Sequence, residues 1–288
     1  MKAKLILSVA VLLAHILLVA DLDARTSARA ERTAKRMRKQ IVSELKTLPD
    51  HPWAGEYYAG DGLGVNTSLS IAPKSGFVFE WHGCLGLYDR NYGAVVSTND
   101  RLRLSFTFEN QQKGFQGIAP ELIPVQWGER RYLVPADDVV GFCNRVNDGS
   151  EPRDGAHGFF LLRKGDEKKQ VAGSPKVPKE FEPYLLSEPI VAEIVSVRAY
   201  KTRPSVVEWK FKDTPVILNA GRKNGLRPGM ELLVTEPSNV VESVRITKVT
   251  ENQSEAVMIQ SGEDDPGPKA GWRVSTRAPW RVLKVKPY

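Results

Sequence analysis

Hydrophobic and polar positions alternate with a period of two along much of this chain. The clearest run is Arg101 to Glu109, where Leu102, Leu104, Phe106 and Phe108 alternate with Arg101, Arg103, Ser105, Thr107 and Glu109. Gly76 to His82 sets Phe77, Phe79 and Trp81 on one face against Val78, Glu80 and His82 on the other. The pattern predicts further strands at Trp53–Ala59, Asn66–Ile71, Leu122–Trp127, Arg131–Val134, Val139–Val146 and Gly158–Arg163. Turn residues separate them at Pro73-Lys74-Ser75-Gly76, Thr98-Asn99-Asp100, Gly128-Glu129 and Asn147-Asp148-Gly149. Short strands at hairpin spacing predict an antiparallel meander over 51–164, closed or nearly closed as a barrel. A sandwich is the alternative. The layout resembles a lipocalin-like or calycin-like barrel, and no lipocalin motif accompanies it.

The first 50 residues follow a different pattern. Leu5 to Ala20 is apolar apart from Ser8 and His15, and it sits behind Lys2 and Lys4. Residues 1–24 therefore read as an export signal or as an uncleaved signal anchor. Ala24, with Leu22 before it, is the better-placed cleavage site, and Ala28-Arg29-Ala30 also fits A-x-A. Both readings place residues 50–288 outside the cytoplasm, periplasmic or secreted. Within the basic segment 25–50, residues 24–47 read as a helix, because Ala28, Ala34, Met37, Ile41, Val42 and Leu45 recur at helical spacing and Leu48-Pro49-Asp50 stops them. Such a helix lies on a bilayer, forms a stalk or pairs with another copy.

Residues 165–189 carry mixed charge with Pro175, Pro178, Pro183 and Pro189, and read as an interdomain linker. A second β unit follows over 190–280, with 281–288 as a tail. In it Ile190–Ala199 is rich in β-formers, and Val207, Trp209 and Phe211 alternate with Glu208, Lys210 and Lys212. Pro215–Leu218 then leads into a turn built on Gly221, Gly225 and Gly229, and Met230–Val234 leaves it. Gly225 and Gly229 are expected to supply positive φ or close backbone approach. Asn219, Arg222, Lys223, Asn224 and Arg227 exclude a bilayer setting for this glycine spacing, and a strand after Gly229 excludes a phosphate loop.

Asn219, Gly221, Gly225, Leu226, Gly229 and Met230, with Ile246 and Val249 after them, resemble a turn-and-strand element of small extracytoplasmic bacterial β-barrels. Periplasmic domains of the rod-shape protein MreC and C-terminal domains of some flagellar assembly proteins look similar. The resemblance covers residues 214–277 and implies a scaffolding role for a small barrel. No long coiled coil of the MreC kind is evident. The chain as a whole looks like an exported bacterial envelope protein, all-β beyond its N-terminal hydrophobic and basic helices.

Charge and composition sharpen this. The 288 residues are 41% hydrophobic and 26% charged, values of a folded globular chain. The formal net charge is +7, yet residues 25–46 alone hold eight Lys or Arg against two Glu. The basic excess thus sits beside the apolar N-terminus. It is not spread over a folded face with interleaved aromatics, so it points to a membrane surface rather than nucleic acid. Two cysteines, Cys84 and Cys143, exclude a disulfide-dense scaffold and a four-cysteine zinc module. Alternation puts both on the sheet face opposite the largest apolar residues. In an oxidising compartment they form a candidate disulfide, whose loop of about 60 residues would contribute about 4 kcal/mol.

The remaining chemistry is sparse. His15, His51, His82 and His157 form no metalloprotease motif, and His82-Gly83-Cys84 lacks a second ligand pair. Gly60-Asp61-Gly62-Leu63-Gly64 reads as a hairpin turn, and Asp137-Asp138 and Glu263-Asp264-Asp265 as solvated acidic loops. Trp53, Tyr57, Tyr58, Trp81, Tyr88 and Tyr92 suit a sugar or peptide surface if exposed and a barrel core if buried. No catalytic, cofactor or metal residue is expected. The expected role is a non-enzymatic envelope scaffold or interaction module with protein partners or self-association. The alternative is binding of a lipid, glycan or peptide inside the first barrel.

Overall fold

A computed structural model describes residues 26–60, 64, 66–110, 117–152, 154–155, 158–204, 210–261 and 267–277. The export segment 1–24, His157, the Asp61-Gly62-Leu63 turn, the Val207–Trp209 alternation, the Glu263-Asp264-Asp265 cluster and the 281–288 tail lie outside the described residues. The protein is all-β, with two closed barrels of 8 and 6 strands.

Residues through Asp137 together with Arg153–Val177 form one compact unit, and Asp138–Pro152 with Pro178 onward form the other. The first begins with helix α1 (Ala28–Leu45). Ser27 caps it, its Oγ accepting the Ala30 N–H at 3.2 Å. The barrel strands are β1 (Gly55–Ala59), β2 (Asn66–Ala72), β3 (Gly76–Gly83), β4 (Gly86–Thr98), β5 (Arg101–Phe106), β6 (Glu121–Trp127) and β7 (Arg130–Pro135). After an excursion through helix α2 (Val139–Asp148) and the short pair β8 (Asp154–Gly155) and β9 (Gly158–Phe159), strand β10 (Leu161–Arg163) closes the barrel between β7 and β1. All pairings are antiparallel, and the closing register sets Tyr57 opposite Arg163.

Inward positions are taken by Tyr57, Leu69, Ile71, Phe77, Phe79, Leu102, Leu104, Leu122, Leu133 and Leu161, all buried. Strand β3 is buried on both faces. Phe77 and Phe79 point inward, and Val78 packs outward under α1 with Ala72 and Tyr92. From the helix side Ala30, Ala34 and Ile41 meet this patch. Two alanines on the contact stripe let the helix backbone come close to the sheet, and the burial of Ile41 fixes its rotation. The apolar stripe thus lies against the protein's own barrel, so any contact of this helix with a bilayer or a second copy falls to its other face.

The second unit contains α2, a 3-10 turn over Lys179–Tyr184, and strands β11 (Val191–Val197), β12 (Lys201–Pro204), β13 (Lys210–Leu218), β14 (Glu231–Glu236), β15 (Ser243–Val249), β16 (Ser254–Ser261) and β17 (Arg273–Ser275). The ring runs β11, β17, β14, β15, β16, β13 and back to β11, with β12 adding to β13 beyond β11. Ile194, Val216, Leu218, Leu226, Met230, Leu232, Val244, Ile246, Met258 and Val274 fill it.

Two expectations are corrected here. Val139–Val146 is a helix of the second unit, not a strand of the first barrel. Val139, Phe142 and Cys143 recur at i, i+3 and i+4, and all three are buried. Residues 165–189 do contain the passage from one unit to the other, after Val177, but they are held by side chains and backbone rather than running as an extended linker. Lys176 bridges to Gln126, the Arg130 guanidinium donates to the Lys169 carbonyl at 2.6 Å, and Trp127 Nε1 donates to the Gly173 carbonyl at 2.8 Å. Beyond Pro178 the chain packs on the other core through Tyr184 and Leu186.

Candidate functional site

The glycine turn of the second barrel is built by close approach as well as by φ. Gly221 is extended, and a Cβ there would lie 2.6 Å from the Thr250 and Glu251 carbonyls and from the Gln253 N–H nitrogen. Gly225 and Gly229 have φ of +92° and +87°, the left-handed region in which a side chain is strained. Gly229 donates to the Ile246 carbonyl at 2.8 Å, and Ile246 donates to the Met230 carbonyl at 2.8 Å, which ties the turn to β15.

Helix α2 is hooked onto this turn by asparagines. Asn144 Nδ2 donates to the Gly229 carbonyl at 3.0 Å, while its Oδ1 accepts the Glu231 N–H at 3.2 Å. Three residues on, Asn147 repeats the device, donating to the Tyr184 carbonyl at 2.8 Å and accepting from Leu186 N at 3.0 Å. Val140 Cγ1 lies 3.1 Å from where a Gly229 Cβ would stand, so that glycine also makes room for the helix. The sequence signal was available as two buried-face Asn residues inside an apolar helical run.

Cys84 and Cys143 are not paired. Cys84 sits at the exposed tip of the β3–β4 hairpin, and Cys143 is buried on α2 in the other unit. The shared-face argument failed because it assumed a strand at 139–146. Burial pushes the Cys143 thiol up to about 12, well out of the reactive range. Native protein is expected to react with a maleimide at Cys84 alone, with Cys143 labelled only after unfolding. Labelling of neither cysteine without a reductant would contradict this geometry.

His82 is exposed beside Cys84, and among the described residues no group of three His, Cys, Asp or Glu converges as a metal site. Asp137 is exposed, and Asp138 is buried at the start of α2. Trp53, Tyr57, Trp81 and Tyr92 are buried, so these aromatics belong to packing.

A buried ion cluster stands beneath α1. Glu80 Oε1 accepts from Arg90 Nε at 2.8 Å, and Oε2 from Arg38 Nη2 at 3.0 Å. Burial raises the affinity of Glu80 for a proton, but the charge of Arg38 and the hydrogen bonds from Arg90 and Arg38 outweigh it. The carboxyl is held below its usual range. At the other end of the helix, Glu44 accepts the Lys74 and Ser75 N–H groups at 3.0 and 2.8 Å, so the β2–β3 turn closes on the helix terminus.

The second barrel presents an apolar strip on its outer face. Pro215 of β13 stands directly opposite Val257 of β16, one step from Ile259, which is 46% exposed. Ile217 continues it toward β11, where Val195 is 40% exposed at a bulge. Charges share this face: Asp213 stands opposite Ile259, Glu255 stands opposite Ile217, and Arg198 pairs loosely with Glu255 at 3.9 Å.

No protein-family model matches the chain, and neither the curated proteins nor the solved structures contain a significant match.

Proposed function

We propose that this chain is a non-enzymatic protein of the extracytoplasmic envelope that works as a scaffold or interaction module. The observation that carries this reading is the outer strip of the second barrel. Scattered exposed apolar residues are ordinary, but the half-buried Pro215, Ile217 and Val257 and the exposed Ile259 adjoin across two paired strands, with Asp213 and Glu255 beside them, the arrangement of a protein-binding face. The partner is an envelope protein or a second copy of this chain.

The first barrel favours the same reading over a ligand-binding one. Its inward positions are filled by Tyr57, Phe77, Phe79 and the leucines around them. The buried carboxylate Glu80 and its partners Arg90 and Arg38 are used in holding α1. The apolar run Leu5–Ala20 behind two lysines supports an address outside the cytoplasm.

The test is Ile259→Arg in the full chain, captured after crosslinking in its native host. Ile259 is half exposed, so the fold tolerates the change. The expected result is a defined complex with the unaltered chain and its loss with the variant. Recovery of the same partners at the same yield from both would overturn the proposal.

A further inference from the structure

Docking of α1 leaves a surface that the barrel does not use. The buried stripe holds Ala30, Ala34 and Ile41. On the opposite side of the helix, at steps of three and four, stand Arg32, Arg36, Lys39 and Ser43, all exposed, with Arg29 and Lys35 beside them. Arg32, Lys35, Arg36, Lys39, Gln40 and Ser43 line a shallow surface groove. The helix's own acids leave most of this face unneutralised. Glu44 is turned to the β2–β3 backbone, and Glu31 pairs with Lys35. Among the described residues Arg32, Arg36 and Lys39 have no carboxylate partner. Because Arg38 and Ile41 pin the rotation of the helix, the basic ridge is fixed on the surface rather than free to turn inward.

We infer that this outer ridge of α1 is a docking surface for an anionic phospholipid bilayer. The inference deepens the envelope reading above by naming a second contact, and rests on it for the address. Two observations choose a bilayer over other polyanions. The chain ahead of the helix carries the apolar run Leu5–Ala20, and Asp21 through Ser27 reach at most about 25 Å even when extended. A membrane holding that run therefore keeps the start of α1 within about 25 Å of it, and lipid charge, which acts over about 10 Å, decides whether the ridge settles on the headgroups. The ridge from Arg32 to Ser43 also runs along about 17 Å of the 18-residue helix and lacks the aromatics that stack on bases. Stable attachment takes two signals, and an apolar segment with a basic patch is one such pair.

The test uses the full chain and preformed vesicles. Flotation with equal parts phosphatidylglycerol and phosphatidylcholine is compared with phosphatidylcholine alone, at low and high salt. The expected result is tighter partitioning on anionic vesicles that weakens with salt. Combined Arg32→Gln, Arg36→Gln and Lys39→Gln changes should lower it on the order of 100-fold. These positions are exposed and Gln is a good helix former, so folding is retained. A second readout is independent of the apolar run. A fluorophore on Ser43→Cys, in a Cys84→Ser background, should be quenched by headgroup-labelled lipid in anionic vesicles only. Equal partitioning on both lipids, or quenching that ignores lipid charge, overturns the inference. If that happens while the Ile259-dependent complex persists, the lipid surface alone is rejected. If the complex is lost while lipid selectivity persists, the interaction module alone is rejected.

Discussion

Replacing Glu80 by Leu is expected to destabilise the first unit by about 3–5 kcal/mol, because it removes one partner of a buried ion pair and leaves the other charge in place. Arg90 has only 8% of its side chain exposed, so its charge is stranded when the carboxylate is gone, while Arg38, 34% exposed, turns to solvent. Glu80→Gln should cost less, since the amide oxygen still accepts one of the two hydrogen bonds. The same cluster gives the protein an acid limit. The Glu80 carboxyl has a lower pKa in the fold than in the unfolded chain. Its contribution is therefore fully present above the unfolded value and is lost as pH falls through the folded one. A urea titration read by amide exchange in β3 and β4 should show both effects. An unchanged midpoint in Glu80→Leu would contradict the cluster's structural role.

Asn144→Ala is the second large effect, at about 2–4 kcal/mol on the second unit. One side chain satisfies two backbone groups, the Gly229 carbonyl and the Glu231 N–H, and alanine strands both in a buried setting. The expected signature is local: faster exchange in α2 and at the start of β14, with β2–β4 unaffected. An effect confined to the first barrel, or none at all, would contradict the assignment of α2 to the second unit.

Much of this fold was legible because a period of two survives folding unchanged. In β5, Leu102 and Leu104 are buried while Arg101 and Arg103 face outward, as alternation alone requires. Segment 24–47 is helical over Ala28–Leu45. Local pattern ran out at long range. Val139-Val140 and a short apolar run read as a strand, although Val139, Phe142 and Cys143 also fit a helix. What settles the choice are bonds from Asn144 to residues 85 and 87 positions away. The prolines and mixed charges of 165–189 have the composition of a linker, and composition cannot tell a free strand from one whose backbone is gripped by Arg130 and Trp127. The surfaces were harder still. Alternation marked Ile259 as an outward residue only once β13 and β16 were paired. The α1 ridge became directional only when Ala30, Ala34 and Ile41 were seen against the barrel.

On the reading proposed above, this protein acts through the apolar strip that β13 and β16 carry on the second barrel. A photo-crosslinking side chain placed at Ile259, and in a separate chain at the exposed Thr247 of β15, tests it in the native host. One discrete adduct is expected from position 259 and none from 247. Equal labelling from both positions, or no adduct from either, would contradict it.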